Sequence, residues 1–279
     1  RLQDVYGITS DLKVYYCNME NGTVLGDMNA KDIDPNQPVN IINNDTNMKQ
    51  AITSALAKIG ISVDNEIGIT NKDVAKIREL KLDGTEVNLT SLKGLSEIRN
   101  IQKLVLKNLN LDNLEGLENL TKLYYIFLEN CNIKDYSNLC NDWGLQYIYM
   151  YLPTTMSEEI ANLQVSNLGK GLANASNLNK LTHLGISGYD KTFDEESNFN
   201  GVWVDYKSKL TDISGLENIN DVAKKSVKYL YLNNNQINDL QGIANFTSVY
   251  EITLGWTNII NVNGLEKYKE MESLWLQMI

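Results

Sequence analysis

Apolar and polar positions in the last seventy residues return with a fixed step. Val227, Leu230, Leu232, Asn235, Ile237, Leu240, Gly242, Ile243 and Phe246 reappear 22 residues later as Val249, Ile252, Leu254, Thr257, Ile259, Val262, Gly264, Leu265 and Tyr268, and a third copy opens at Met271, Leu274 and Leu276. Leu230 and Leu232 alternate as strand residues do, so both face one side. The later apolar positions recur roughly every third residue, as on a tightly wound return segment. A single unit of this kind cannot bury its apolar side, so the copies must stack, with neighbouring parallel strands about 4.8 Å apart.

Taking the Leu230 position as the anchor of each copy, the anchors fall at Leu80, Leu104, Ile126, Ile148, Leu184, Leu230, Ile252 and Leu274. The steps between them are 24, 22, 22, 36, 46, 22 and 22 residues. Extra chain therefore leaves the stack near 152–169, where Ser157 and Glu158–Leu163 suit a helical turn, and near 187–209, with five more residues near Val222–Ser226. An alternative parse makes Ile160-x-x-Leu163-x-Val165 and Val202-x-Val204 strands of two very short copies. The predicted class is α/β, with repeats over 78–279.

Ahead of the repeats, Thr46–Lys58 carries Met48, Ile52 and Leu56 on one helical face, with alanines supporting it. Thr70 suits the N-cap of a second short helix, Asn71–Ile77. Residues 39–77 thus read as a helical cap over the first strand, the kind of cover a solenoid needs for solubility. Residues 1–38 form an N-terminal extension of uncertain role, with a strand at Leu12–Tyr16 and a solvated acidic turn around Asp27, Asp32 and Asp34. The chain opens on Arg1 without a signal-like segment, the form expected of a processed or shortened product.

Composition narrows the choice of partners. The 279 residues carry a formal charge of −10, a poor basis for nucleic-acid binding, and no 18-residue apolar run suits a membrane span. Asn is abundant, at 37 residues, in keeping with a fold rich in turns. The cysteines, Cys17, Cys131 and Cys140, are odd in number. Cys131 occupies the position of Asn235 in its own copy, where a packed free thiol is expected; a 131–140 disulfide is the alternative.

Side chains flanking each anchor point away from the core. The column before the anchor reads Glu79, Lys103, Tyr125, Tyr147, His183, Tyr229, Glu251 and Ser273. The column after it reads Lys81, Val105, Phe127, Tyr149, Gly185, Tyr231, Thr253 and Trp275, with Tyr151 and Trp256 at the far edge. Nine of the chain's 23 aromatic residues are thereby set on the open side rather than in Leu and Ile slots, so core packing does not explain them. The candidate ligand-binding residues are Tyr125, Phe127, Tyr147, Tyr149, Tyr151, His183, Tyr229, Tyr231, Trp256 and Trp275. An aromatic patch edged with hydroxyls is an ordinary recognition surface; cross-strand ring stacking that serves the sheet alone is the other account.

An enzyme is not indicated. His183, the single histidine, has no nucleophile and carboxylate that the sequence sets beside it, and Glu79 and Glu251 lie at opposite ends of the stack. No motif calls for a metal or a cofactor. Asp190, Asp194, Glu195 and Glu196, with Phe193, Phe199 and Trp203, gather on the second insertion as a solvated loop or as an edge of the binding surface.

The 22-residue period, in the form L-x-x-L-x-L-x-x-N-x-I, resembles the leucine-rich repeat. Lys49-Gln50-Ala51-Ile52 followed by EIGITNKDVAKIREL (66–80) resembles the amino-terminal cap of bacterial internalin-type proteins. That resemblance implies a right-handed solenoid with a curved parallel sheet on its concave side and 3-10 or irregular return segments. It also implies an exported, envelope-attached protein of a Gram-positive bacterium that binds a host or neighbouring-cell protein through the concave face in the manner of an adhesin. The long steps depart from the family pattern, as do Leu109, Cys131 and Thr257 at the usual Asn position. A structural spacer within a larger envelope protein and a glycan-binding module are the alternatives.

Overall fold

The computed structural model describes residues 34–276, apart from 119, 142–143, 190–206 and 264, together with the backbone of three strands within 4–25. Two compact units result, Arg1–Ile77 and Arg78–Ile279.

In the first unit, β1 (Asp4–Ile8), β2 (Val14–Asn18) and β3 (Thr23–Leu25) form an antiparallel meander. The strand expected at Leu12–Tyr16 thus lies two residues further on, while Asp27 and Asp32 fall outside the described residues. Three helices follow: α1 (Asn40–Asn44), α2 (Thr46–Lys58) and α3 (Asn71–Val74). Asp45 caps α2 by accepting from the Met48 N–H at 2.9 Å, and Met48, Ala51, Ile52 and Leu56 form its buried stripe. The Asp73 carboxylate accepts from both the backbone N–H and the hydroxyl of Thr70, so α3 starts at the expected cap and ends three residues early.

The second unit is a stack of parallel strands. β4 (Glu79–Asp83), β5 (Lys103–Lys107), β7 (Tyr125–Glu129), β9 (Tyr147–Pro153), β10 (His183–Tyr189), β11 (Tyr229–Tyr231), β12 (Glu251–Thr253) and β13 (Ser273–Trp275) pair in that order. The short strands β6 (Asn110–Leu111) and β8 (Asn132–Ile133) make a second parallel pair. All eight anchors lie side by side: Leu80 against Leu104, Ile126, Ile148, Leu184, Leu230, Ile252 and Leu274 in turn. Every anchor but Leu274 is at most 2% exposed, so the apolar period maps directly onto the core ladder. Short 3-10 turns such as Lys93–Glu97 and Ser214–Asn218 carry the chain back, burying Leu95 and Leu216.

Four of the corners after the strands hold a left-handed residue. Asn108, Asn130 and Asn234 supply it at φ values of 54°, 50° and 58°, a conformation Asn tolerates better than most. Trp256 occupies the same corner in its copy at φ 55°.

The first long step contains a helix, α4 (Glu158–Gly171), more than twice the length of the expected turn. Ser157 caps it, accepting from the Ile160 N–H at 3.3 Å. The helix continues because Ala161, Val165 and Leu168 keep helical spacing on the buried side, where Gln164 also sits fully buried. Ile160–Val165 is therefore helical, which removes one strand of the short-copy parse; the other, Val202–Val204, lies outside the described residues.

Side-chain amides on α4 extend the backbone ladder of its neighbours. Gln164 Oε1 accepts from the Ile133 N–H and the Tyr136 hydroxyl, both at 2.9 Å, while its Nε2 donates to Asn132 Oδ1 at 2.8 Å. Asn167 donates to the Ile133 carbonyl at 3.0 Å. On the other flank Asn162 accepts from the Thr211 and Asp212 N–H groups at 3.0 and 3.1 Å. Glycines bring the helix close: a Cβ on Gly169 would lie 1.8 Å from the Gly215 carbonyl oxygen. In the second long step, the extra residues near 222–226 form α5 (Asp221–Ser226).

The Asn235 side chain is fully buried and donates to the carbonyls of Ile186 and Leu232 at 2.7 and 2.9 Å. Cys131 fills the corresponding slot as a free thiol facing the Leu106 and Glu129 carbonyls at 3.3 and 3.4 Å. Burial pushes this thiol up to about 12, the chemistry of a packing residue rather than a nucleophile. Cys140 is also free, so the 131–140 disulfide is not formed.

Candidate functional site

Strand pleating puts three rows on the side of the sheet away from the core. Lys103, Tyr125, Tyr147, His183, Tyr229 and Glu251 share one row by direct register. Val105, Phe127, Tyr149, Gly185, Tyr231, Thr253 and Trp275 share the second. Lys107, Glu129, Tyr151 and Ser187 continue the third, and Asn233, two residues beyond Tyr231, joins it.

His183 is held between Tyr147 and Tyr229, with ring centroids 4.3 and 4.4 Å away and interplanar angles of 27° and 15°. The three rings are stacked like coins, so much of each face is spent on its neighbour. Tyr125 lies against Tyr147 and Tyr149 at 5.8 and 5.6 Å, and Phe127 meets Tyr151 edge-on at 4.7 Å. Gly185 makes this arrangement possible, since a Cβ there would lie 2.4 Å from Tyr149 Cδ1. Without a side chain between them, Tyr149 and Tyr231 approach to 6.2 Å.

A depression of about 440 Å³ opens among Tyr125, Phe127, Tyr147, Tyr149, Tyr151, Ser187, Tyr231 and Asn233. Six rings and two small polar side chains line it, and none of them is charged. Phe127 is only 5% exposed, covered by its neighbours, and serves as floor rather than as contact surface. Asn233 Oδ1 accepts from the Ser187 and Thr253 hydroxyls at 3.2 and 3.3 Å, which fixes the polar rim. Further along the same row Lys107 and Glu129 neutralise each other at 2.6 Å.

Burial dominates the proton chemistry. It lowers His183, favouring the neutral imidazole, whose Nδ1 lies 2.8 Å from the Thr182 hydroxyl. It raises the phenols of Tyr149 and Tyr231, with the Glu251 carboxylate adding to the rise at Tyr231, so both stay protonated as hydrogen-bonding groups.

Of the ten residues singled out from the sequence, eight come together in this block. Trp256 stands at the left-handed corner, and Trp275 is set apart from Tyr231 by Thr253 on the intervening strand, 63% exposed. Ser187 and Asn233 were missed; both share the pleat parity of Tyr151, and that parity was the available signal.

With eight parallel strands in register, a basic repeat of 22 residues, apolar anchors inward and 3-10 returns behind them, the architecture is decided. This is a leucine-rich repeat solenoid. Its similarity to solved structures includes an internalin C2 from Listeria monocytogenes, at 21% identity over 86% of this chain and 96% of that one, with a TM-score of 0.46. An internalin F from the same organism matches at 22% identity over 86% and 77% of the two chains, with a TM-score of 0.37. Human 5T4, a trophoblast glycoprotein, matches this leucine-rich repeat chain at 17% identity over 72% and 69%, with a TM-score of 0.47. No family model matches the sequence, and no curated protein does.

Proposed function

We propose that the leucine-rich repeat unit is a non-catalytic binding module that captures a protein partner on its aromatic face, as an adhesin-like element at a bacterial cell surface. The observation that carries this is the uncharged aromatic depression on the open side of the sheet. Cross-strand stacking accounts for the rings' order but leaves hydroxyls over: those of Tyr147, Tyr149, Tyr229 and Tyr231 have no hydrogen-bond partner among the described residues. Half-buried phenols without partners favour a ligand that supplies acceptors and donors.

Ring geometry favours protein over glycan. Sugar stacking needs open ring faces, whereas the Tyr147–His183–Tyr229 stack turns edges and hydroxyls outward. The test is a pull-down from a preparation of host-cell surface proteins, run beside a glycan array, with wild type and the Tyr149→Ala/Tyr231→Ala double variant. A specific protein captured by wild type and lost by the variant, with unfolding unchanged, supports the proposal. Capture that ignores both tyrosines removes this face from the case, sugar-only binding makes it a glycan module, and no capture leaves it a spacer.

A further inference from the structure

Glu251 follows the ring stack in the first row, directly beside Tyr229 on one side and Ser273 on the other. It has no ion-pair partner among the described residues, whereas Glu79 pairs with Lys103 at 3.0 Å, Glu129 with Lys107 at 2.6 Å, and Asp83 accepts from Thr85 and Asn108 at 2.8–2.9 Å. The nearest described cation along the chain, Lys228, is engaged elsewhere, 3.5 Å from Glu270 and 4.7 Å above the Tyr250 ring. The carboxylate's charge reaches Tyr231, where it adds to burial in holding the phenol above its ordinary value.

In the second row, Tyr231 and the exposed Trp275 stand on either side of Thr253. Two strand spacings of about 4.8 Å separate them by about 9.6 Å. A flat group in van der Waals contact with a ring on each side needs about 7–8 Å, so a modest lean of either ring closes the gap. A small residue between two aromatics with a carboxylate alongside is a slot for a planar cation.

We infer that Glu251, Tyr231 and Trp275 form a docking point for an arginine side chain presented by the partner protein. The assignment rests on this face being the protein-binding surface, and it names the chemistry that the face selects. A guanidinium is planar, stacks on aromatic rings and donates in a fork that matches a carboxylate; a lysine ammonium offers no flat face to the slot. The overall charge of −10 draws basic segments toward the chain.

The probe is the peptide acetyl-Gly-Arg-Gly-amide, titrated against the indole N–H signal of Trp275 in a nitrogen-15-labelled chain, the signal being assigned by its loss in Trp275→Phe. Lysine and citrulline versions of the peptide are the comparators, citrulline having the same shape without the charge. The expected result is a saturable shift with arginine, a weaker one with lysine and none with citrulline. Glu251→Gln should weaken the arginine peptide about five-fold. No shift with arginine, equal response to citrulline, or an unchanged titration in Glu251→Gln would overturn the assignment. The pull-down with Tyr149→Ala/Tyr231→Ala is the separate arm. Capture that needs those tyrosines while the arginine peptide fails leaves the binding face standing and removes only the arginine slot; a binding peptide without any captured protein does the reverse.

Discussion

The two sides of the eight-stranded sheet are built from the same strands and obey different rules. Toward the core, the anchors from Leu80 to Ile252 are all Leu or Ile and are at most 2% exposed. Toward the open side, the adjoining residue is Lys, Tyr, His or Glu according to the copy. The reason is what each side chain touches. A core residue is enclosed by equivalents from the copies before and after it, so size and shape are held to close tolerance. An open-side residue has water on one flank, and its identity is free to be spent on recognition. Substitutions should therefore be costly to stability on one side and inexpensive on the other.

The core side is least forgiving where its period is broken. Gln164→Leu keeps the volume but leaves the Ile133 N–H and the Tyr136 hydroxyl buried without an acceptor. At about 1–3 kcal/mol per orphaned group, the expected loss is about 3 kcal/mol or more, read from urea unfolding. Adding Tyr136→Phe removes one of the orphans, so the double variant should be less destabilised than the sum of the singles. Additive losses would mean that the two side chains do not act as a unit.

Next in size is Gly169→Ala. Helix propensity alone predicts a gain of about 1 kcal/mol for this change inside α4. The new Cβ, however, would meet the Gly215 carbonyl oxygen at 1.8 Å, and backbone cannot swing aside as a side chain does. A net loss of about 2 kcal/mol is expected, and a rise in melting temperature would show that the helix does not sit this close.

These two sites also show how far the sequence could be read. The anchor ladder was legible because the same apolar spacing recurs around each anchor from Leu80 to Leu274, through the longer steps as well as those of 22 residues, and each anchor meets its own equivalent. The long α4 was not, since its buried face includes Gln164, Gly169 and Gly171, which interrupt an apolar stripe and carry the look of a loop. Their presence makes sense only against neighbours distant in sequence: Ile133 for the glutamine, Gly215 and Tyr136 for the glycines. On the open side, pleat parity named the ring-bearing positions but not their packing. Phe127 lies beneath the surface, Tyr149 leans across Gly185, and Trp256 sits at an Asn corner, each set by contacts or backbone angles that no column of residues displays.

On the open side, Gly185→Ala should invert the pattern of Gly169→Ala. The atom in the way is Tyr149 Cδ1, on a side chain that can rotate. Alanine is also the better residue in a strand interior, so stability should change by less than about 1 kcal/mol. The ring stack, by contrast, must re-form, and capture of a protein partner should fall by a larger factor than the stability change accounts for. A loss of stability equal to that of the helix glycine would erase the distinction between the two sides.

The smallest effect belongs to His183, and as the single histidine it can be followed without interference. Burial between Tyr147 and Tyr229 lowers its folded pKa below the ordinary histidine value of about 6.5, so the folded chain takes up its proton at lower pH than the unfolded chain does. Its effect on stability is therefore neutral above the unfolded pKa and becomes unfavourable as pH falls from there to the folded pKa. The position is half-buried and solvent screens the charge, so the loss should be slight. An NMR titration of the imidazole gives the shift directly, and Tyr229→Ala, by opening one side of the stack to water, should bring the pKa back up toward the ordinary value. Should the midpoint stay fixed in that variant, the lowering would have to come from beneath the ring, at Thr182 and the strand, and the open-side stack would be a looser assembly than its centroid distances indicate.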